Sequence, residues 1–231
     1  MSNDNTAPIA SQNYDEEVLT IIPLYPMLRQ SIIELLASWH GPVEAWFDTG
    51  CGTGTLVADA CKVFPHTKFT LADPSAKMLA IARQKLAGNA QVTFIESDSQ
   101  GLGYADNQFD IITAIQCHHY LNEDERRRAV GNCFRMLKSA GMFITFENIK
   151  PLSEAGIRLG LKRWTKYQRD RGKTAEEVER NIARFGKEYF PISILEHLEL
   201  LRSIGFPCVE ILWASYMQAG FYAIKRDGMS Y

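Results

Sequence analysis

The chain has 231 residues, 46% hydrophobic and 23% charged, with a net charge of -2. This suffices for one sizeable core with an appended or inserted cap, and gives no whole-chain electrostatic pull toward nucleic acid or membrane. Its five cysteines are odd in number and form no CxxC pair, which argues against a disulfide framework or a zinc site.

The first twelve residues, MSNDNTAPIASQ, are polar and lack the basic and apolar regions of a secretory leader. They are expected to be disordered. From Tyr14 to Trp39 the pattern is helical, with interruptions expected at Pro23 and Pro26; Leu28, Ile32, Leu35 and Leu36 repeat at helical spacing. Residues 1–40 therefore read as a tail plus a helical lid. No apolar run approaches the roughly 20 residues that span a bilayer. A cytoplasmic protein without a membrane partner, its thiols free, is the expectation.

Strands and helices then alternate. Ala45–Asp48 reads as a buried strand, Leu56–Phe64 as a helix, Lys68–Ala72 as a strand, Ser75–Leu86 as a helix and Val92–Ile95 as a strand. Phe109–Ile115 is almost wholly apolar, as a strand covered on both faces would be. Glu123–Leu137 reads as a helix and Gly141–Glu147 as a fifth strand. The alternation implies a mostly parallel, doubly covered sheet. It breaks at residues 151–190, a charged helical stretch read as a cap. Ser193–Ser203, with Ser193 as N-cap and Glu196 three residues on, is another helix, and Phe206–Trp213 with Met217–Lys225 forms a terminal antiparallel pair.

The segment Asp48-Thr49-Gly50-Cys51-Gly52-Thr53-Gly54 follows the first strand and opens a helix. Glycines there allow a tight turn and close approach of backbone to a ligand. Thr55 stands where a dinucleotide fingerprint has glycine, which weakens a pyrophosphate reading. Asp73 ends the second strand, where an acid can accept two bonds from ribose hydroxyls; before Pro74 it also suits a helix N-cap. Ser97-Asp98-Ser99 follows the third strand.

Taken in order, DTGCGTG, LADPSAKML, ESDSQGLGYADNQFDIITA and RMLKSAGMFITFE resemble the motifs of class I S-adenosylmethionine (SAM)-dependent methyltransferases over about 100 residues. The resemblance implies a Rossmann-like fold with a mostly parallel seven-stranded sheet, an antiparallel terminal strand and a helical cap insertion. It implies SAM as cofactor, with Gly50 and Gly52 beside the methionine part, Asp73 on the ribose and Asp98 near the adenine. The expected cofactor set also includes Asp48, Cys51, Gly54, Pro74, Met78, Ser99 and Gln116. Tyr14 and Tyr25 join it from the N-terminal helical segment, if their phenols do not simply pack in the core. Strand four runs into Gln116-Cys117-His118-His119-Tyr120, so His118 and His119 are the candidate general bases. No metal ligand set is expected.

At both ends, YDEEVLTIIPLYPML and GFPCVEILWASYMQAGFYAIK are similar to carboxy-SAM synthases, which convert SAM with prephenate. The arginine that holds the added carboxylate in those enzymes corresponds to Leu200 here, with Arg202 two residues away. Arg158, Lys162, Lys166 and Arg169 share one helical face, with Trp164 and Tyr167 among them. This face reads as a solvated surface, an anion-drawing lid or an RNA contact. The reading is a methyltransferase domain over residues 41–231, capped at about 151–190, acting on a small-molecule acceptor, an anion if the basic face draws it, as monomer or homodimer. The alternatives are a carboxy-SAM synthase-like enzyme and a non-catalytic SAM- or RNA-binding protein that kept the fold.

Overall fold

A computed structural model describes residues 9–225. Its sheet has seven strands, β1 (Ala45–Thr49), β2 (Lys68–Asp73), β3 (Val92–Glu96), β4 (Phe109–Ile115), β5 (Leu137–Asn148), β6 (Cys208–Ser215) and β7 (Gln218–Ile224). Their order is β3-β2-β1-β4-β5-β7-β6. The first five are parallel, and β7 enters antiparallel between β5 and β6. The chain winds outward from β1 to β3 and then returns to β4 beside β1. That reversal leaves a crevice beyond the carboxyl ends of β1 and β4, where open α/β sheets hold ligands.

The sequence dictates the layers. Every residue of β4 except Ile115 is buried, as an apolar strand covered on both faces must be. On one face lie α5 (Glu123–Met136) and α8 (Ile194–Ile204), closing a core of Phe47, Ile112, Phe143, Phe206 and Phe221. On the other lie α2 (Tyr25–Ser38), α3 (Thr55–Val63) and α4 (Ala76–Lys85), with Leu28, Ile32, Leu36, Trp46 and Phe69 between them. The expected Ser193–Glu196 capping box opens α8, and Asn122–Glu125 makes another on α5.

A third, smaller core joins the chain's two irregular parts. Helix α1 (Tyr14–Ile21) packs on α6 (Glu154–Asp170), which α7 (Ala175–Ala183) follows. Val18, Ile21 and Ile22 meet Trp164, Tyr189 and Met217. Trp164 Nε1 donates to the Ile21 carbonyl at 2.6 Å, and the Tyr167 hydroxyl donates to that of Leu19 at 2.7 Å.

Two expectations need correction. Of the stretch expected to be disordered, residues 9–12 are ordered: Ile9 is buried in the third core and Ser11–Asn13 forms a 3-10 turn, while residues 1–8 lie outside the described residues. Pro26 does not interrupt a helix. It sits in the first turn of α2, where its missing N–H costs nothing; the break lies at Ile22–Leu24, around Pro23 as expected, with Ile22 extended and Leu24 left-handed at φ 57°. Of the three readings of the basic face, the structure matches the solvated surface: Arg158, Lys162, Lys166 and Arg169 all point to solvent, because the opposite face of α6 buries Trp164 and Gln168. No single helix among the described residues is long and apolar enough to cross a membrane.

Candidate active site

The glycine loop turns through left-handed backbone that its glycines adopt without strain. Gly50, Gly52 and Gly54 all have positive φ, at 66°, 53° and 72°. A Cβ on Gly50 would lie 2.5 Å from Cys117 Cβ, whereas one on Gly52 would meet nothing within 4 Å. The first glycine therefore lets strands β1 and β4 approach, and the second leaves open the side of the loop where a ligand would lie.

Asp73 fastens that loop. One carboxylate oxygen accepts from Gly52 N–H at 2.8 Å and the other from Ser75 N–H at 2.9 Å. Burial raises its pKa despite these two bonds. Each oxygen keeps a lone pair, so the group still fits a ribose diol. Ser75, rather than Asp73, caps α4. Behind the loop, Asp48 is buried and accepts from Thr113 Oγ1 at 2.5 Å. Burial, with the nearby Asp73 charge, pushes its pKa up to about 7 against the pull of the Thr113 bond.

Asp48, Gly50, Cys51 and Gly52 line one cavity with Tyr14, Tyr25 and Arg29. Helix α1 closes it. Asp15 accepts from Thr53 Oγ1 at 2.6 Å, Thr55 Oγ1 at 2.9 Å and Lys85 Nζ at 2.6 Å. Glu17 on the same helix binds Lys173 at 2.8 Å, so α1 is tied to the glycine loop on one side and to the α6–α7 turn on the other. The Tyr14 and Tyr25 phenols hydrogen-bond each other.

Tyr14 also lines a second cavity, with Gln116, His119, Tyr120, Asn148, Trp164, Arg184 and Tyr189. Its floor is a polar chain at the ends of β4 and β5. Glu147, fully buried, accepts from the backbone N–H of His118 and His119, from Thr145 Oγ1 at 2.8 Å and from His119 Nδ1 at 2.7 Å. Burial would raise its pKa, but the His119 bond and the neighbouring imidazoles hold it down to about 2. Asn148 stands opposite Gln218 in the β5–β7 register, and its Oδ1 accepts from Gln218 Nε2 at 3.1 Å. Its Nδ2 therefore donates to His119 Nε2, 3.2 Å away. His119 Nδ1 lies 2.7 Å from the Glu147 carboxylate and 3.4 Å from the Asn148 N–H, so the shorter, charge-assisted contact favours the proton on Nδ1 and leaves Nε2 as the basic nitrogen. Gln116, at φ 57°, presents a buried Nε2 with no partner.

Of the two histidines, His119 is the one on the cavity. The His118 ring stacks on Phe143 with both nitrogens unpartnered, and burial pushes its pKa down to about 4. Gly54, Pro74, Met78, Asp98 and Ser99 line neither cavity. Asp98 caps its own turn through Gln100 and Gly101 N–H, Ser99 bonds Thr49, Gly54 packs on Ala82, Met78 is in the core and Pro74 is exposed. Arg202 is exposed on α8, and Leu200 lies on the same helix. Sequence reasoning missed Asp15, Arg29, Glu147, Asn148 and Arg184. Only Glu147 left a signal, an acid closing an otherwise apolar strand. All five cysteines are free, and no group of three or more metal-ligating side chains occurs among the described residues.

Residues 47–141 match the family model described as "Methyltransferase domain". Over 219 residues the chain is 26% identical to a carboxy-S-adenosyl-L-methionine synthase of Methylococcus capsulatus, covering 92% of this chain and 89% of that one. Over 123 residues it is 32% identical to a demethylmenaquinone methyltransferase of Thermotoga maritima, covering 53% of this chain and 51% of that one. A Thermotoga maritima structure described as a SAM-dependent methyltransferase, possible histamine N-methyltransferase, superposes with a TM-score of 0.64 at 19% identity over 93% of this chain and 96% of that one. Residues 47–141 thus carry a methyltransferase domain, set in the fold of the SAM-dependent methyltransferases that the chain resembles. The chain is an enzyme, and S-adenosylmethionine is its cofactor.

Proposed function

We propose that the enzyme transfers a methyl group to a small-molecule acceptor held in the second cavity, with His119 and Glu147 handling the acceptor's proton. The supporting observation is the junction at Tyr14, which faces both the glycine-loop cavity and the cavity floored by His119.

S-adenosylmethionine supplies a methyl group on a positively charged sulfur. The chain's residues fit its other parts: Asp73 the ribose, Asp48 the ammonium of the amino acid, Arg29 the carboxylate, and the turn capped by Asp98 the adenine edge. Helix α1 and residues 151–190 act as a lid that excludes water once both ligands are in place. Tyr14, neutral because burial raises its pKa well above the usual value, orients the acceptor. His119 Nε2 takes the acceptor's proton, and buried Glu147 stabilises the imidazolium that results. Five free thiols fit a cytoplasmic location. Calorimetry with S-adenosylhomocysteine tests the base of this reading: absence of binding at millimolar ligand overturns it.

A second reading, carboxy-SAM chemistry, draws support from Arg184, a cation in the second cavity able to hold a carboxylate, and from relatives that match along most of the chain. Mass spectrometry of the nucleoside product after incubation with prephenate separates the two: a carboxylated S-adenosylmethionine supports this reading, S-adenosylhomocysteine the first.

A further inference from the structure

The walls of the second cavity say more about its occupant. Resting on the reading of that cavity as the acceptor's place, we propose that the acceptor is a hydroxylated aromatic carboxylate, its hydroxyl on His119 and its carboxylate on Arg184.

The walls are made of rings. The Tyr120 and Tyr189 rings stand at 75° with centroids 6.3 Å apart, and His119 lies 4.4 Å from the first and 5.6 Å from the second. Trp164 has spent its N–H on Ile21, so it offers the cavity only a face and an edge of carbon. Such a slot rewards a flat, conjugated ligand through offset and edge contacts. A sugar or other polyol would lose its hydration here without gaining partners.

Two buried donors limit how apolar the ligand is. Gln116 Nε2 and the Tyr189 hydroxyl have no partner. Each is satisfied by a ligand oxygen, and a purely hydrocarbon ring would leave both orphaned.

Charge then decides between acid, neutral and amine. Arg184 is the one cation among the residues described as lining this cavity, and no carboxylate lines it, since Glu147 lies behind the His119 ring. The Arg184 guanidinium sits 6.0 Å from the Tyr120 centroid, on the wall that His119 shares. It also bonds the Tyr120 hydroxyl and, through Nε at 2.5 Å, Glu188; the guanidinium is 11% exposed and Glu188 61%, so a ligand carboxylate reaches the buried cation by displacing that exposed carboxylate. An aryl ammonium would instead meet a like charge.

The transfer balances. The acceptor's hydroxyl displaces the Asn148 amide as donor to His119 Nε2 and passes its proton there. Its oxygen bonds the methyl carbon as the carbon–sulfur bond breaks, the electron pair returning to sulfur. An aryl methyl ether and S-adenosylhomocysteine result.

The test is calorimetry on the full chain saturated with S-adenosylhomocysteine, using 4-hydroxybenzoate, 4-hydroxyphenylacetate, methyl 4-hydroxybenzoate and tyramine as probes. The acids should bind at least about tenfold more tightly than the ester and the amine. Arg184→Met should erase that preference while leaving S-adenosylhomocysteine affinity unchanged. Equal or tighter binding of ester or amine, or binding of none of the four to the loaded protein, overturns the proposal. Failure of S-adenosylhomocysteine itself to bind would instead strike the methyltransferase reading beneath it.

Discussion

The two cavities meet at Tyr14 yet are built in opposite ways. The glycine-loop cavity is closed by short connections: three positive-φ glycines within five residues, and Asp73 reaching one neighbouring turn. The second cavity is assembled from distant pieces. Trp164 bonds a carbonyl 143 residues earlier, and Asn148 bonds a glutamine 70 residues later. Cofactor binding thus rests on backbone, and acceptor handling on long-range side-chain packing. Substitutions in the first that crowd the paired strands should cost binding and fold together; those in the second should separate turnover from cofactor affinity.

The largest effect is expected at Gly50. Gly50→Val adds a Cβ that meets Cys117 at 2.5 Å across two paired strands, at a φ that a β-branched side chain does not tolerate. We expect a loss of roughly 3 kcal/mol or more of stability together with all S-adenosylhomocysteine binding, read by thermal unfolding and calorimetry. A variant that folds and binds normally would show that the loop is not held as described. Gly52→Ala, with no atom within 4 Å of the new Cβ, should fold, paying only the backbone strain, and lose affinity selectively.

Next comes Glu147→Gln. Four donors converge on this carboxylate, and the neutral amide no longer holds the His119 Nδ1 proton or stabilises a charged imidazole. We expect kcat to fall about 100-fold or more while cofactor affinity stays within about twofold. His119→Asn should reproduce the loss, which guards against a purely structural effect of a buried variant. Loss of cofactor affinity in step with kcat would break the proposed division between the cavities.

Asp48 gives the comparison a pH axis. Its carboxyl titrates near 7 in the folded chain and at 3.8 ordinarily, so the folded state binds the extra proton between those values. Without ligand, its contribution to stability therefore falls as pH rises from 3.8 to about 7. A ligand ammonium beside it favours the ionised form. Cofactor affinity should rise as pH increases through 7, approaching tenfold per unit on the acid side, and level off above. Asp48→Asn should flatten that dependence. A flat profile in the wild type would place the cofactor's ammonium elsewhere.

How much was legible from sequence follows the same division. Alternating strands and helices, the glycine loop, Asp73 and the Ser193 cap were readable because each depends on neighbours a few residues away. The break at Pro23 was legible because a residue before proline is driven out of the helical region, as Ile22 is; Pro26 differs because proline in a first helical turn starts a helix rather than ending one. Glu147, Arg184 and Asn148 were not legible as site residues. An acid, an arginine and an amide acquire their roles only when the sheet order sets β4, β5 and β7 side by side and the α7 end folds over them. The choice of His119 over His118 likewise needed the 3-10 turn, which sends adjacent rings in different directions.

The smallest effect is expected on the basic face of α6, and it tests where the division between the cavities stops. In sequence, Arg158, Lys162, Lys166 and Arg169 stood in the segment read as a lid, which suggested a positive pocket mouth. The helix turns them outward, and Lys166 spends its charge on Asp170 at 2.6 Å, a pair exposed on both sides. Exposed pairs contribute about 0–1 kcal/mol, and solvent screens them over roughly 10 Å at 0.1 M salt. The cation that does face the acceptor is Arg184, on the other side of the buried Trp164 face. The double variant Lys162→Glu/Lys166→Glu should therefore leave kcat, acceptor KM and cofactor affinity within about twofold of wild type, and stability within about 1 kcal/mol. An acceptor KM raised several-fold in the variant, together with a wild-type KM that falls at low ionic strength while the variant's does not, would mean that long-range steering by α6 reaches the second cavity and that the acceptor site extends beyond the walls drawn here.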